Sequence, residues 1–267
     1  MQFSTLFRGI CRRTPNVFPP TDLRPPDRVT LPLRQHQGPA CEPSVEPGQK
    51  VLRGQVVGES KDPAGALVHA SISGTVEEIS ETANPAGQPV AAVSIKSDQQ
   101  DAWLEPAPGT ETALLSLDEV HKASREELLG RVQEGGIVRS LTMGLPLHLD
   151  LSPPSSPRAY MHMTSAPVVR PIDTLIIKAV DFDPPVAPNQ ACLAGDTPEL
   201  ELGVAALARI TGADRVILAL PTGGSSDQLA EMAEKNGWEL AKVNAGHYPY
   251  GLNNLVIHSL LGREVAT

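Results

Sequence analysis

The sequence predicts a chain of mixed α+β / α/β class, with a small all-β unit leading into an α/β layer. Three observations carry this prediction. Short β-type runs punctuated by turn residues fill the stretch from Val29 to Ser97. Downstream, helical runs alternate with continuous apolar runs, the pattern of parallel strands joined by helices. Aromatic residues make up only 3% of the chain, so its cores must be built from Val, Leu, Ile and Ala.

In chain order, residues 1–28 form an extended arm rich in Pro and Arg, because proline disfavours helix both at its own position and before it. The β unit, residues 29–97, contains strands at Val29–Leu33, Val51–Leu52, Gln55–Gly58, Leu67–Ala70, Thr75–Ile79 and Val90–Ile95. Pro47-Gly48, Pro63-Ala64-Gly65, Ser73-Gly74 and Asn84-Pro85 supply the turns between them. A polar, Pro-containing linker covers 98–117. The α/β domain, 118–267, opens with a helix over Leu117–Val132, capped by Ser116 or Asp118 and stopped by Gly135-Gly136. Its strands are Asp173–Ile177, Arg215–Leu220 and Trp238–Val243. Its further helices are Leu200–Ile210, Asp227–Lys235 and Leu252–Leu261.

The bulk properties exclude several functions. A net charge of −9 and a pI near 5.3 argue against nucleic acid and against charge-driven binding to acidic lipid. No apolar run reaches bilayer-spanning length, and Met1–Pro15 lacks the apolar core of a secretory signal. The expected location is therefore cytoplasmic, with any attachment to the inner face of the cell membrane made through a protein partner. Cys11, Cys41 and Cys192 lie far apart with no CxxC, so no iron–sulfur cluster is expected in this chain, and the scattered histidines suggest no zinc site.

One phrase in the β unit is more specific. Glu46-Pro47-Gly48-Gln49-Lys50-Val51, then Gly54-Gln55-Val56-Val57, then Val68-His69-Ala70-Ser71-Ile72-Ser73-Gly74-Thr75-Val76 resembles the barrel-sandwich hybrid of lipoyl and biotinyl carrier domains. Its glycines sit where a chain turns sharply between small sheets. Together with the α/β layer, this unit resembles the RnfC family, a peripheral component of Rnf electron-transport complexes. Gln35-His36-Gln37-Gly38-Pro39-Ala40 resembles the family's S-Q-H-I-G-A-P-A. Pro171-Ile172-Asp173-Thr174-Leu175-Ile176-Ile177 resembles K-x-I-D-T-L-I-I-N. Tyr248-Pro249-Tyr250-Gly251 and Leu260-Leu261-Gly262-Arg263-Glu264-Val265 resemble Y-P-x-G and L-T-G-R-E-V.

The resemblance implies that the α/β domain is similar to the FMN-binding domain of the complex I flavoprotein subunit. It also implies FMN and NADH as cofactors. The cofactor-binding residues carried over are Gly144, Pro146, Lys178, Asp181, Asp183 and Tyr248. Departures stand beside the matches. The loop resembling G-G-A-G-F-P-T-x-x-K reads Leu141-Thr142-Met143-Gly144-Leu145-Pro146-Leu147-His148-Leu149-Asp150. Leu141 and Thr142 add side chains where a flavin would pass, and Asp150 puts an anion where a lysine would favour phosphate. The signature resembling N-G-A-E-C-E-P-Y reads Lys178-Ala179-Val180-Asp181-Phe182-Asp183-Pro184-Pro185, with Lys178 as a replacement cation.

The family continues into a module carrying two clusters, whereas this sequence stops at Thr267 and has an atypical insertion over Ser155–Val169. The expected partners are therefore the membrane-embedded and iron–sulfur subunits of an Rnf-type complex. Two functions stay open: an NADH-side electron-transfer subunit, or a scaffold or regulatory paralogue that has lost FMN and NADH.

Other features receive plainer readings. Lys61 falls where a carrier lysine would roughly lie, but Glu59-Ser60-Lys61-Asp62 lacks the Met-Lys-Met context and reads as a solvated loop. Met161-His162-Met163 suggests soft metal ligands and reads as loop. Pro221-Thr222-Gly223-Gly224-Ser225-Ser226 lacks a Walker lysine and reads as a helix cap rather than a phosphate cradle. Tyr248–Gly251 reads equally as a pocket wall or as a turn before the last helix. No hydrolase constellation stands out.

Overall fold

A computed structural model describes residues 24–84, 87–105, 115–139, 144–151, 172–181, 189, 197–222, 227–244 and 250–264. The chain divides into two compact units: 23–115 with 122–169, and 1–22 with 116–121 and 170–267.

The first unit is built on two small sheets. Strands β1 (Arg28–Pro32), β3 (Lys50–Val51), β6 (Gly74–Ala83) and β7 (Pro89–Ser97) form an antiparallel sheet in the order β1-β7-β6-β3. Strands β2 (Glu42–Pro43), β4 (Val56–Glu59) and β5 (Val68–His69) form the other, in the order β2-β4-β5. Leu33, Cys41, Val45, Val51, Val57, Val68, Ala70, Ile72, Val76, Val93 and Ile95 close into one buried cluster. These residues are small and aliphatic, as the scarcity of aromatics required. Gly58 lies inside this contact, because a Cβ there would sit 2.7 Å from Leu33 Cδ2.

Two strands differ from expectation. β6 runs four residues beyond Ile79, pairing Ser80 through Ala83 with β7. That extension is polar (Ser80, Glu81, Thr82), so apolar patterning revealed only the half that faces the core. β2 is two residues long and gave no periodic signal at all.

The helix expected over Leu117–Val132 is instead two: α1 (Leu117–Lys122) and α2 (Arg125–Glu134). Ser124 breaks it. Its backbone is extended and its Oγ accepts from Glu127 N at 3.1 Å, which starts a new helix. α1 carries its own reciprocal box, with Ser116 N donating to Glu119 Oε2 at 2.7 Å and Glu119 N donating to Ser116 Oγ at 3.3 Å. α2 ends as expected at Gly135-Gly136. Gly136 is left-handed (φ +60°), and a Cβ there would lie 2.3 Å from Leu67 O. This close approach binds the end of α2 to β5. A short helix, α3 (Leu147–Leu151), follows and packs on α2.

The second unit holds a parallel sheet, β8 (Thr174–Lys178), β9 (Arg215–Pro221) and β10 (Glu239–Val243), in the order β10-β9-β8. Parallel neighbours require long crossovers. They are supplied by α4 (Thr197–Thr211) between β8 and β9 and α5 (Asp227–Lys235) between β9 and β10. α6 (Asn253–Leu261) follows β10 and ends on left-handed Gly262. Leu218, Leu220, Leu229, Met232 and Ala233 bury between β9 and α5.

Candidate functional site

The residues carried over by resemblance fall in two places. Gly144 and Pro146 lie on one hairpin of the first unit. Lys178 and Asp181 lie together at the end of β8 in the second. Asp183 and Tyr248 lie outside the described residues, as do Leu141, Thr142, Met161–Met163 and Gly223–Ser226.

The hairpin is closed by backbone bonds. Val138 and Pro146 form an antiparallel bridge, Arg139 N donates to Leu145 O at 2.9 Å, and Leu147 N donates to Ile137 O at 2.8 Å. Gly144 makes this closure sterically feasible, because a Cβ there would stand 1.7 Å from Arg139 O. Gly144 O in turn accepts from Gln37 N at 3.0 Å, tying the hairpin to the loop after β1. Asp150, on α3, is ion-paired with Arg139 at 3.3 Å, its side chain 23% exposed. His148, also on α3, is buried and its Nε2 lies 2.8 Å from Pro63 O. A carbonyl only accepts, so that nitrogen carries the proton.

In open α/β sheets ligands bind beyond the carboxyl ends of the strands. Lys178 closes β8 there. Its Nζ donates to Gly251 O at 3.0 Å. Burial lowers its affinity for a proton, against a smaller opposing pull from Asp181. Asp181 is buried, and its Oδ1 accepts from Asn189 N at 2.8 Å while Asn189 Nδ2 donates to Val180 O at 3.3 Å.

At the other end of β8, two of the motif stretches meet. Arg263 Nη1 and Nη2 donate to Asp173 Oδ1 and Oδ2 at 2.9 and 3.0 Å, a bidentate pair, and Thr174 Oγ1 adds a third donor. The Arg263 hydrogen bonds, then that of Thr174, hold the Asp173 carboxyl at about 2. Its charge therefore supports the fold above the ordinary carboxylate range, and that support is lost as pH falls toward 2. Both residues were visible in the sequence as parts of separate motifs, and only the fold shows that they are a structural clasp.

Against a flavin mononucleotide, the described residues fit poorly. The bare side of Gly144 faces its own chain's carbonyl, and the Gly144 carbonyl is bonded to Gln37. Asp150 presents an anion paired to Arg139 where a phosphate would need a cation. Lys178 and Asp181 have hydrogen-bond partners within their own unit. Among the described residues no group of three or more His, Cys, Asp or Glu side chains is placed to hold a metal ion, and no helix is long and apolar enough to cross a membrane.

Comparison with known proteins adds a family relationship. Residues 14–100 match the RnfC barrel sandwich hybrid domain. The chain is 26% identical over 251 residues to the RnfC-type component of the proton-translocating ferredoxin:NAD(+) oxidoreductase complex of Clostridium ljungdahlii, covering 92% of this chain and 50% of that protein. It is 29% identical over 197 residues to the corresponding component of the ion-translocating oxidoreductase complex of Edwardsiella ictaluri, covering 73% of this chain and 22% of that one. The counterpart in the ion-translocating oxidoreductase complex of Rhodobacter capsulatus is 26% identical over 246 residues, covering 90% and 43%. The chain thus spans half or less of the length of these relatives.

Proposed function

We propose, from the relationship of this divergent chain to the RnfC family, that it is an RnfC-type component of a membrane-associated, ion-translocating electron-transfer complex. Its expected place is the NADH side, peripheral on the cytoplasmic face of the membrane. Its expected partners are the membrane-embedded and iron–sulfur subunits. Within such an assembly the scaffold role fits this chain better than the NADH-oxidising one. The observation that carries the choice is the hairpin around Gly144. Its glycine accommodates Arg139 O, and its acidic position neutralises Arg139, so the features that would serve a cofactor serve the fold instead.

The cofactor-binding reading keeps one specific support. Lys178 is a half-buried cation at the carboxyl end of a parallel strand, where an anionic group is ordinarily received. If FMN were held, it would supply the redox chemistry and the protein its position.

The test is an absorbance spectrum of natively expressed protein, followed by titration with FMN and NADH. The scaffold role predicts no flavin bands and no binding at high micromolar FMN, with the chain still co-purifying with membrane subunits. One flavin per chain, bleached by NADH, would overturn the scaffold role and establish the redox one.

A further inference from the structure

Two buried histidines in the first unit grip the same turn. His36, in the loop after β1, is 1% exposed, and its Nε2 accepts from Ala66 N at 3.2 Å. An accepting nitrogen carries no proton, so this ring is neutral. His148 is 4% exposed and donates from Nε2 to Pro63 O. The loop bearing His36 is joined to the hairpin before His148 by Gln37 N donating to Gly144 O. These contacts close a ring running from His36 and Gln37 to Gly144, along the chain to His148, across to Pro63, and through Ala66 back to His36. Gly38 lets the turn approach, because at φ +149° a Cβ there would stand 2.8 Å from Ala64 O and 3.0 Å from the His36 ring.

We propose that this ring is a proton-operated clasp, which releases the 137–149 hairpin from the barrel as the pH falls below about 6 while the barrel core stays folded. A proton on His36 Nε2 would point N–H at N–H inside the protein, and Ala66 N would lose its acceptor.

The charged surroundings act in the same direction. Burial, then the Arg34 charge, then that of His148 lower the affinity of His36 for a proton. The remaining ionisable groups on these elements are Lys61 and Asp62 on the turn, Arg139 and Asp150 on the hairpin and α3, and Cys41, whose thiol donates to Ala66 O at 3.0 Å. Arg139 and Asp150 neutralise each other, and Lys61 is paired with Glu42. A group whose folded affinity for protons is depressed stabilises the closed state fully above its unfolded value, about 6.5 for histidine, and progressively less as pH falls toward its folded value.

The experiment is hydrogen exchange of the full chain at about pH 7.5 and about pH 5.5, corrected for intrinsic rates, with ring-nitrogen NMR of the histidines. The amides of Gln37, Arg139 and Leu147 should lose at least about tenfold protection at the lower pH, while amides of β6 and β7 keep theirs. His36→Gln retains an acceptor and has no site to titrate, so it should stay closed at both pH values. Equal protection at both pH values would overturn the clasp. So would loss in step with β6 and β7, or an undiminished pH response in His36→Gln. Should that variant not fold, the wild-type ring decides: His36 must gain its proton over the range in which protection falls, and a ring still neutral there sinks the proposal.

Discussion

At the residue scale, Gly144 shows how a motif glycine can be read correctly in type and misread in purpose. Sequence identifies a position that tolerates no side chain. It does not say whether a ligand or the chain itself comes close. Here it is Arg139 O, at 1.7 Å from where a Cβ would stand. A rigid backbone carbonyl cannot yield as a flexible side chain would. Gly144→Ala should therefore cost about 3 kcal/mol, the upper range for overpacking, through opening of the hairpin. A urea denaturation series checks this; a midpoint unchanged from the parent would mean that the closed hairpin contributes nothing to stability. Asp150 carries the same lesson. Its replacement of a lysine was legible as a loss of cofactor affinity, but its pairing with Arg139, eleven residues before it in sequence, required the fold.

At the element scale, the parallel strands and their helices were legible because each is a continuous apolar run or a full helical period. β8, β9 and β10 fall within a residue or so of their expected bounds, and α5 spans Asp227–Lys235 as expected. Elements shorter than one period were not legible: β2 has two residues and α3 has five. The break between α1 and α2 was hidden for a different reason. The apolar positions Val120, Leu128, Leu129 and Val132 run through it, and periodicity outweighed the Ser124-x-x-Glu127 box that restarts the helix. Removing the cap should expose the competition. Ser124→Ala should destabilise the first unit by about 1 kcal/mol, because the Glu127 N–H loses its acceptor. Denaturant midpoints compare the two proteins. A more stable variant would show that the continuous helix is the intrinsically better state and that the box imposes a cost.

At the scale of the whole molecule, the turn residues made the β unit legible, since Gly and Pro mark nearly every reversal between Val29 and Ser97. What joins that unit was not legible. α2 and α3 lie in the compact unit of the barrel rather than with the parallel sheet. The contacts that place them there have no local signature: Gly136 against Leu67 O, the His69 ring bonded to the backbone at Glu134, and His148 on Pro63. Each depends on residues distant in sequence. If these contacts carry real stability, the independently folding piece is residues 24–151, and a piece ending at residue 105 should be the weaker. Losing the His148 and Gly136 contacts removes more than about 1 kcal/mol on ordinary magnitudes, so the shorter piece should melt at least about 5 °C lower. Circular-dichroism melts of both fragments decide it. Coincident melting curves would mean that the sandwich of small sheets is complete without its two helices, and that their attachment reflects geometry with no measurable contribution to the fold.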